Sequence, residues 1–280
     1  MGQPAPVPVH HPAAPDDAHR SVSQYQSYTD CPAAYFLARR ARVPQAPAAW
    51  FIHGSAVHEA VEKWERSRRN ASLEAVYDWF DESWTREYQN AADIEPDFGR
   101  WVHLGRSTVE RDLEARYQRA LDQLTDYIHV SLSDPYQPLV LDGQVAVEWE
   151  FTLPLRGGVV VKGFIDLLLE GPAGDILVQD LKTGSRKPAS TLQLGVYKLA
   201  VEQATGLSVE YGRYFMAKDG QPGPPVHLGG YDFDRVSDWF AMMNRGVRIK
   251  VFPPRPGEHC RICTVSRFCP VNGPDRLPAA

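Results

Sequence analysis

No run of this 280-residue chain approaches the apolar length that spans a bilayer, and the N-terminus has no apolar segment of the signal-peptide kind. Both absences point to a cytosolic protein without membrane partners. Positive charge is not in excess: 30 Lys and Arg stand against 35 Asp and Glu, a net charge of -5. Bulk electrostatic attraction is therefore excluded as the basis of nucleic-acid binding, although a local basic groove is not. A Gly-x-x-x-x-Gly-Lys-Ser/Thr loop is missing, which excludes P-loop nucleotide chemistry. Cysteine is scarce, with four in all, and there is no internal repeat. Hydrophobic content of 43% is still ordinary for a globular chain, and the length suffices to bury a core.

Residues 1–20 are rich in Pro, Ala and His without periodicity and read as a disordered tail. The ordered chain is expected to start at Ser21 or Ser23, either of which can cap a helix running to about Arg42. Helical spacing recurs over Gly54 to Arg69, Leu73 to Gln89 and Arg100 to Ile128, so the segment 21–135 reads as helical. From Gly143 the period changes to two. Strands at 144–153, 158–169 and 175–182 are expected to form an antiparallel meander, followed by a helix over Leu192 to Thr205, a strand over Val209 to Met216 and a helix over Phe233 to Val247. The order predicts an α/β fold: a mixed central sheet flanked by helices over 140–250, a helical N-terminal region, and a Cys-rich C-terminal segment before a tail at 271–280.

The chemistry-bearing residues concentrate in the meander. Asp166 ends Gly163-Phe164-Ile165-Asp166, and one hairpin later comes Asp180-Leu181-Lys182. Period-two alternation puts Asp180 and Lys182 on one strand face with Leu181 turned away. Two acids and an ammonium at one spot suit a hard divalent cation, which takes oxygen ligands and keeps several waters, while the lysine acts on an attacking water. The bland alternative is a solvated ion pair at a strand end. Glu148 and Glu150 face one side of the preceding strand. Basic residues cluster at Arg39, Arg40 and Arg42, at Arg66, Arg68 and Arg69, and at Arg186 and Lys187 beside the acid-lysine strand.

The four cysteines form a second constellation. Cys260, Cys263 and Cys269 make C-x2-C-x5-C, and Cys31 stands more than two hundred residues earlier. In a cytosolic chain such clustering means metal rather than disulfide. One C-x2-C knuckle instead of two fits an iron-sulfur cluster better than a zinc ribbon, and leaves structural zinc as the alternative. With Cys31 as fourth ligand, the 255–270 segment would clamp the first helix to the C-terminal end.

Together these residues resemble the PD-(D/E)xK nuclease superfamily, and within it the RecB-like branch that includes the AddB nuclease domain and the four-cysteine CRISPR-associated exonucleases. The resemblance covers about 21–270 as a single domain. It rests on Gly54-x-x-x-His58, Gly163-x-x-Asp166, Asp180-Leu181-Lys182, Gln193-x-x-x-Tyr197, Cys31-Pro32 and the cysteine trio, in the family's order, with Glu148-x-x-Phe151 at its glutamate position. It implies a restriction-endonuclease-like core and a Mg2+- or Mn2+-dependent DNA exonuclease, with His58, Asp166, Asp180 and the Leu181 carbonyl as metal ligands. By the same resemblance Lys182 positions the water, Glu148 touches a second metal or its water, Gln193 and Tyr197 steer the strand, and the four cysteines hold a 4Fe-4S cluster. Single-stranded DNA is the implied substrate, leaving a 5′-phosphate, with unwinding supplied by a helicase or recombination partner in phage, repair or CRISPR-related DNA processing. A nonenzymatic DNA-end-binding adaptor with a vestigial site is the alternative.

Overall fold

A computed structural model describes residues 19–271 and Gly273, so most of both expected tails lies outside the described residues. Arg20, expected in the tail, is instead buried and held to the sheet: its N–H donates to the Val160 carbonyl at 2.7 Å, and its carbonyl accepts from the Lys162 N–H at 2.8 Å.

The first expected helix is broken in two. Helix α1 (Val22–Asp30) is capped by the Ser21 side chain. Cys31 then takes an extended conformation before α2 (Pro32–Tyr35) and a π-turn over Phe36–Arg40. Pro32 is the cause, since it disfavours helical geometry in the residue before it. Helix α3 (Ala49–Arg66) starts five residues before Gly54 because Ala49 and Ile52 pack with Trp101, Val109 and Leu113. Helix α4 (Leu73–Ile94) is capped by Ser72. The helix expected from Arg100 begins only at Val109: buried Trp101 donates its indole N–H to the Glu95 carbonyl at 2.7 Å, and Thr108 caps α5 (Val109–Ser133) with Glu110 and Asp112 in its first turn, a favourable pairing of acid with helix dipole.

The strands follow. β1 (Gln137–Pro138) joins the main sheet, and β2 (Val140–Leu141) with β3 (Gln144–Val145) forms a small hairpin of its own. Its turn is Asp142-Gly143 with φ of 49° and 79°, the Asp-Gly signature of a two-residue hairpin. β4 (Val147–Pro154), β5 (Val160–Glu170) and β6 (Ile176–Lys182) make the expected antiparallel meander. Helix α6 (Leu192–Thr205) carries the chain back to β7 (Val209–Met216), which lies parallel to β6. Short β8 (Gln221–Pro222) and β9 (Val226–His227) edge β7, and α7 (Phe233–Arg248) follows.

The sheet lies between two helical layers. One core joins α1, α6 and α7 to Val161, Ile165, Leu168 and Val178 of the sheet. The other joins α3, α4 and α5 to Leu181 and Phe215. Among the described residues no helix is long and apolar enough to cross a membrane.

Candidate functional site

The site grows from a defect in the sheet. Pairing between β5 and β6 runs from Glu170↔Ile176 to Leu167↔Gln179 and stops one residue short of Asp166 and Asp180, while β6 stays paired to β7 as far as Lys182. On the other side of β5, the pairs Val147↔Leu167 and Trp149↔Ile165 bracket Glu148 opposite Asp166 without pairing them. Glu148 has a φ of 43°, a left-handed conformation that costs free energy in a non-glycine residue and concentrates at functional positions. The side-chain alternation slips there too: Ile165 and Leu168 both face the α6 core, whereas Leu167 and Val147 join a cluster with Leu169 and Leu177. The strands splay, and the freed Leu181 N–H donates to Asp166 Oδ2 at 2.8 Å.

Helix α3 closes the fork. His58 sits two turns from its N-terminus, between the buried stripe residues Val57, Ala60 and Val61 and the fork. Its Nδ1 lies 3.6 Å from Asp166 Oδ2, and its ring shares a backbone hydrogen bond with Leu181. Ligand atoms of His58, Glu148 and Asp166 all fall within 4.8 Å of one another. Beside them is a cavity of about 10 Å³ reaching Leu181, room for one water or one ion.

Asp180 stands outside that trio and belongs to a hydrogen-bonded circuit. Lys182 Nζ is 2.6 Å from Asp180 Oδ2 and donates to Gln193 Oε1 at 2.9 Å. Gln193 Nε2 donates to the Tyr197 hydroxyl at 2.7 Å, and that hydroxyl donates to Asp180 Oδ1 at 3.5 Å. The one-turn spacing of Gln193 and Tyr197 on α6 allows this reach. All four members come from the two motifs. Tyr214, opposite Asp180 on β7, completes the wall, with Lys182 Nζ 5.8 Å from its ring centre. Sequence reasoning missed it; the parallel register of β6 with β7 is what brings it in.

The electrostatics are those of crowded acids. Burial first, then Glu148, pushes Asp166 up to about 7; burial first, then Asp166, pushes Asp180 up to about 7. Burial raises Glu148 as well. The Asp180 side chain is 1% exposed against 16% for Asp166 and 32% for His58, so the site opens on the Asp166 and His58 side. Burial pulls the His58 imidazole below its usual value, which favours the neutral ring that can donate a lone pair to a metal. Glu148, Asp166 and such a ring beside a one-atom cavity, with Asp180 next to them, are a donor set for a hard or borderline divalent cation.

Of the basic clusters, Arg69 is spent inside the fold, bonded to Glu65 Oε2 at 2.8 Å and to the Ser131 carbonyl at 2.6 Å. Arg66 pairs with Glu62 at 2.8 Å and reaches the Val147 carbonyl. Arg39 lines a groove of about 630 Å³ that opens onto Glu148, Asp166, Gln193 and Tyr197 on the α1 and α6 side.

The cysteines converge from both ends of the domain. Burial raises the Cys263 thiol, and Cys31, Cys260 and Cys269 all add to the shift. Backbone N–H groups point at sulfur: Arg255 N to Cys31 Sγ at 3.5 Å and Gly257 N to Cys260 Sγ at 3.4 Å. The segment is stitched to the N-terminal region by Ala33 N to the Pro253 carbonyl at 3.3 Å and by Ala46 N to the Thr264 carbonyl at 2.8 Å. Val265 packs with Leu37 and Val43.

Comparison with known proteins agrees with this geometry. Two curated relatives are called gene 69 protein. The one from Mycobacterium phage D29 is 35% identical over 263 residues, covering 90% of this chain and 96% of that protein. The one from Mycobacterium phage L5 is 32% identical over 281 residues, with the same coverage. The family model of the PD-(D/E)XK nuclease superfamily, whose nucleases use divalent metals, matches residues 19–270. The forked strands, the acids at the fork and this match over the whole described domain make the chain a member of the PD-(D/E)XK nuclease superfamily.

Proposed function

We propose that the protein is a DNA exonuclease that hydrolyses phosphodiester bonds of single strands and leaves 5′-phosphates. The observation that carries the reading is the set of crowded acids at the fork, half-buried Glu148 and Asp166 and buried Asp180, with His58 beside a one-atom cavity. His58, Glu148 and Asp166 would hold Mg2+ or Mn2+, with Asp180 and the Leu181 carbonyl as further oxygen donors. When bound, the cation supplies charge neutralisation at the phosphate and acidifies a water. The protein's own residues do the rest. Lys182, fixed between Asp180 and Gln193, directs an N–H at the attacking water or a phosphate oxygen. Gln193 and Tyr197 hold that ammonium in place, and the groove they line receives the strand. Unwinding is left to a helicase or recombination partner, in phage recombination, repair or related DNA processing.

For the cysteines we favour a 4Fe-4S cluster with a structural role. The pattern of one C-x2-C knuckle with two further cysteines at irregular spacing, rather than two knuckles, supports the cluster over a zinc ribbon. Backbone N–H groups aimed at the sulfurs stabilise thiolates and tune such clusters.

The test uses anaerobically purified protein with 5′- and 3′-labelled single strands. Stepwise shortening from one end with Mn2+, none with EDTA and none for Asp180→Ala is the expected result, with a brown protein whose iron is lost in Cys263→Ala. Absence of metal-dependent cleavage overturns the nuclease site, and one zinc without iron overturns the cluster.

A further inference from the structure

On the α3 and α5 side of the sheet lies a second groove, of about 840 Å³, that none of the motifs accounts for. One bank is α5, with Arg116 and Arg119; another is the Cys-rich segment, with Arg261; and the loop that follows Lys182 brings Arg186, with Lys218 beyond it. Among the described residues Glu258 is the only acid that lines it, and it lies 3.7 Å from Arg261. Arg119, Arg186 and Lys218 are exposed, and none of them has a carboxylate partner among the described residues. Arg116 is paired with Asp112 at 3.0 Å and Arg261 with Glu258, which leaves these three as unspent positive charge, a local reversal in a chain of net charge -5.

The groove is not only basic. Trp50 lines it, with the Arg116 guanidinium 5.9 Å from its ring centre, and Leu104 and Ile262 are 51% and 38% exposed beside it. Aromatic and apolar faces among cations match a single strand, whose bases stack on the rings while its phosphates meet the cations; a duplex hides its bases and leaves those faces unused. The groove also reaches the reaction centre. Thr183 and Gly184 are the residues after Lys182, and His53, buried beneath the groove and bonded to Gln123 at 2.8 Å, lies five residues before His58 on α3.

Resting on the nuclease reading above, we propose that this groove is the bed of the single-stranded DNA outside the cutting site. Phosphates are held by Arg119, Arg186 and Lys218, a base stacks on Trp50, and the Cys-rich segment forms one bank through Arg261. The two grooves lie on opposite sides of the sheet, so the strand is gripped on this side and passes Thr183 and Gly184, around the end of β6, to reach the acids.

The test measures binding of a labelled oligothymidine to the full-length protein by fluorescence anisotropy, in EDTA so that no cutting interferes, across a series of salt concentrations. Arg119→Gln with Arg186→Gln should weaken binding about tenfold and flatten the plot of log affinity against log salt by about 1.4, at about 0.7 per lost phosphate contact. Trp50→Ala should weaken binding about fivefold or more without changing that slope. The two exposed arginines carry the test if Trp50→Ala fails to fold, with melting temperature as the control. Wild-type affinity and slope in the arginine variant overturn the groove, and equal competition by duplex of the same sequence overturns the single-strand assignment. If instead the wild type binds through these residues but never cleaves with Mg2+ or Mn2+, the nuclease reading fails while the groove stands.

Discussion

Two clusters of buried charge sit within one layer of each other and differ in how they are satisfied. Below α3, Glu65 is fully buried yet accepts from Arg69 and from the Tyr127 hydroxyl at 2.8 Å, while Arg213 bonds Gln179 at 2.6 Å and pairs with Asp134. Each acid there has its own guanidinium. At the fork, Asp166, Asp180 and Glu148 crowd together with Lys182 as the cation in contact, and Asp180 Oδ2 has no well-directed hydrogen-bond donor although Lys182 lies beside it. Buried charge completed by the chain itself holds the fold; buried charge left incomplete is what a ligand from outside must complete.

The comparison can be broken most decisively by Asp166→Asn. The variant should lose cleavage by about a thousandfold, several kcal/mol of transition-state stabilisation, yet melt no lower than wild type without metal, because it relieves like charge. A fall in melting temperature comparable to that of Glu65→Ala would place Asp166 with the structural cluster. Glu65→Ala should do the reverse. By leaving Arg69 buried beside no carboxylate it should cost about 3–5 kcal/mol in urea unfolding, with cleavage per folded molecule retained; a cost below 1 kcal/mol would mean that the pair is not needed to hold α3 against α5. The smallest effect is the dependence on pH. Asp166 and Asp180 are raised in the folded state to about 7 from 3.8, so between those values the folded protein keeps protons that the unfolded chain has released. Their contribution to stability is therefore present at low pH and lost as pH rises through 7. Metal-free protein should lose more melting temperature from pH 5 to pH 8 than Asp166→Asn does, and saturating Mg2+ should flatten the difference; parallel pH curves for the two proteins would argue against the raised acids.

Much of the site was legible because its residues obey short periods. Alternation put Asp180 with Lys182, one helical turn put Gln193 with Tyr197, and the chain order placed β4 to β6 as a meander. What was not legible depends on contacts that no local period encodes. The slip at Glu148 and Asp166 reverses which face the flanking residues take, and it shows only when Leu168 is found in the core that Ile165 also enters. The early start of α3 depends on Trp101 and Leu113, far along the chain. The cations of the second groove are spread from Arg116 to Arg261 and form no run, so only the fold assembles them. Asp142-Gly143 carries a hairpin signal, but the strands it joins are two residues each, too short to show an alternation of their own.

The circuit around Lys182 has a direction. Every N–H and O–H in it points away from the ammonium and toward Asp180: lysine gives to the Gln193 oxygen, the Gln193 amide gives to Tyr197, and Tyr197 gives to the carboxylate. The amide and the phenol are thus two dipoles laid head to tail along the line from positive to negative, each strengthening the next. Lysine brings three hydrogens and no lone pair to such a chain. Gln193 takes one of them and Asp180 draws the ammonium as a charge, so N–H is left over, and it can only be given. Whatever oxygen enters the fork beside Lys182 meets a donor whose aim has been set from behind by α6.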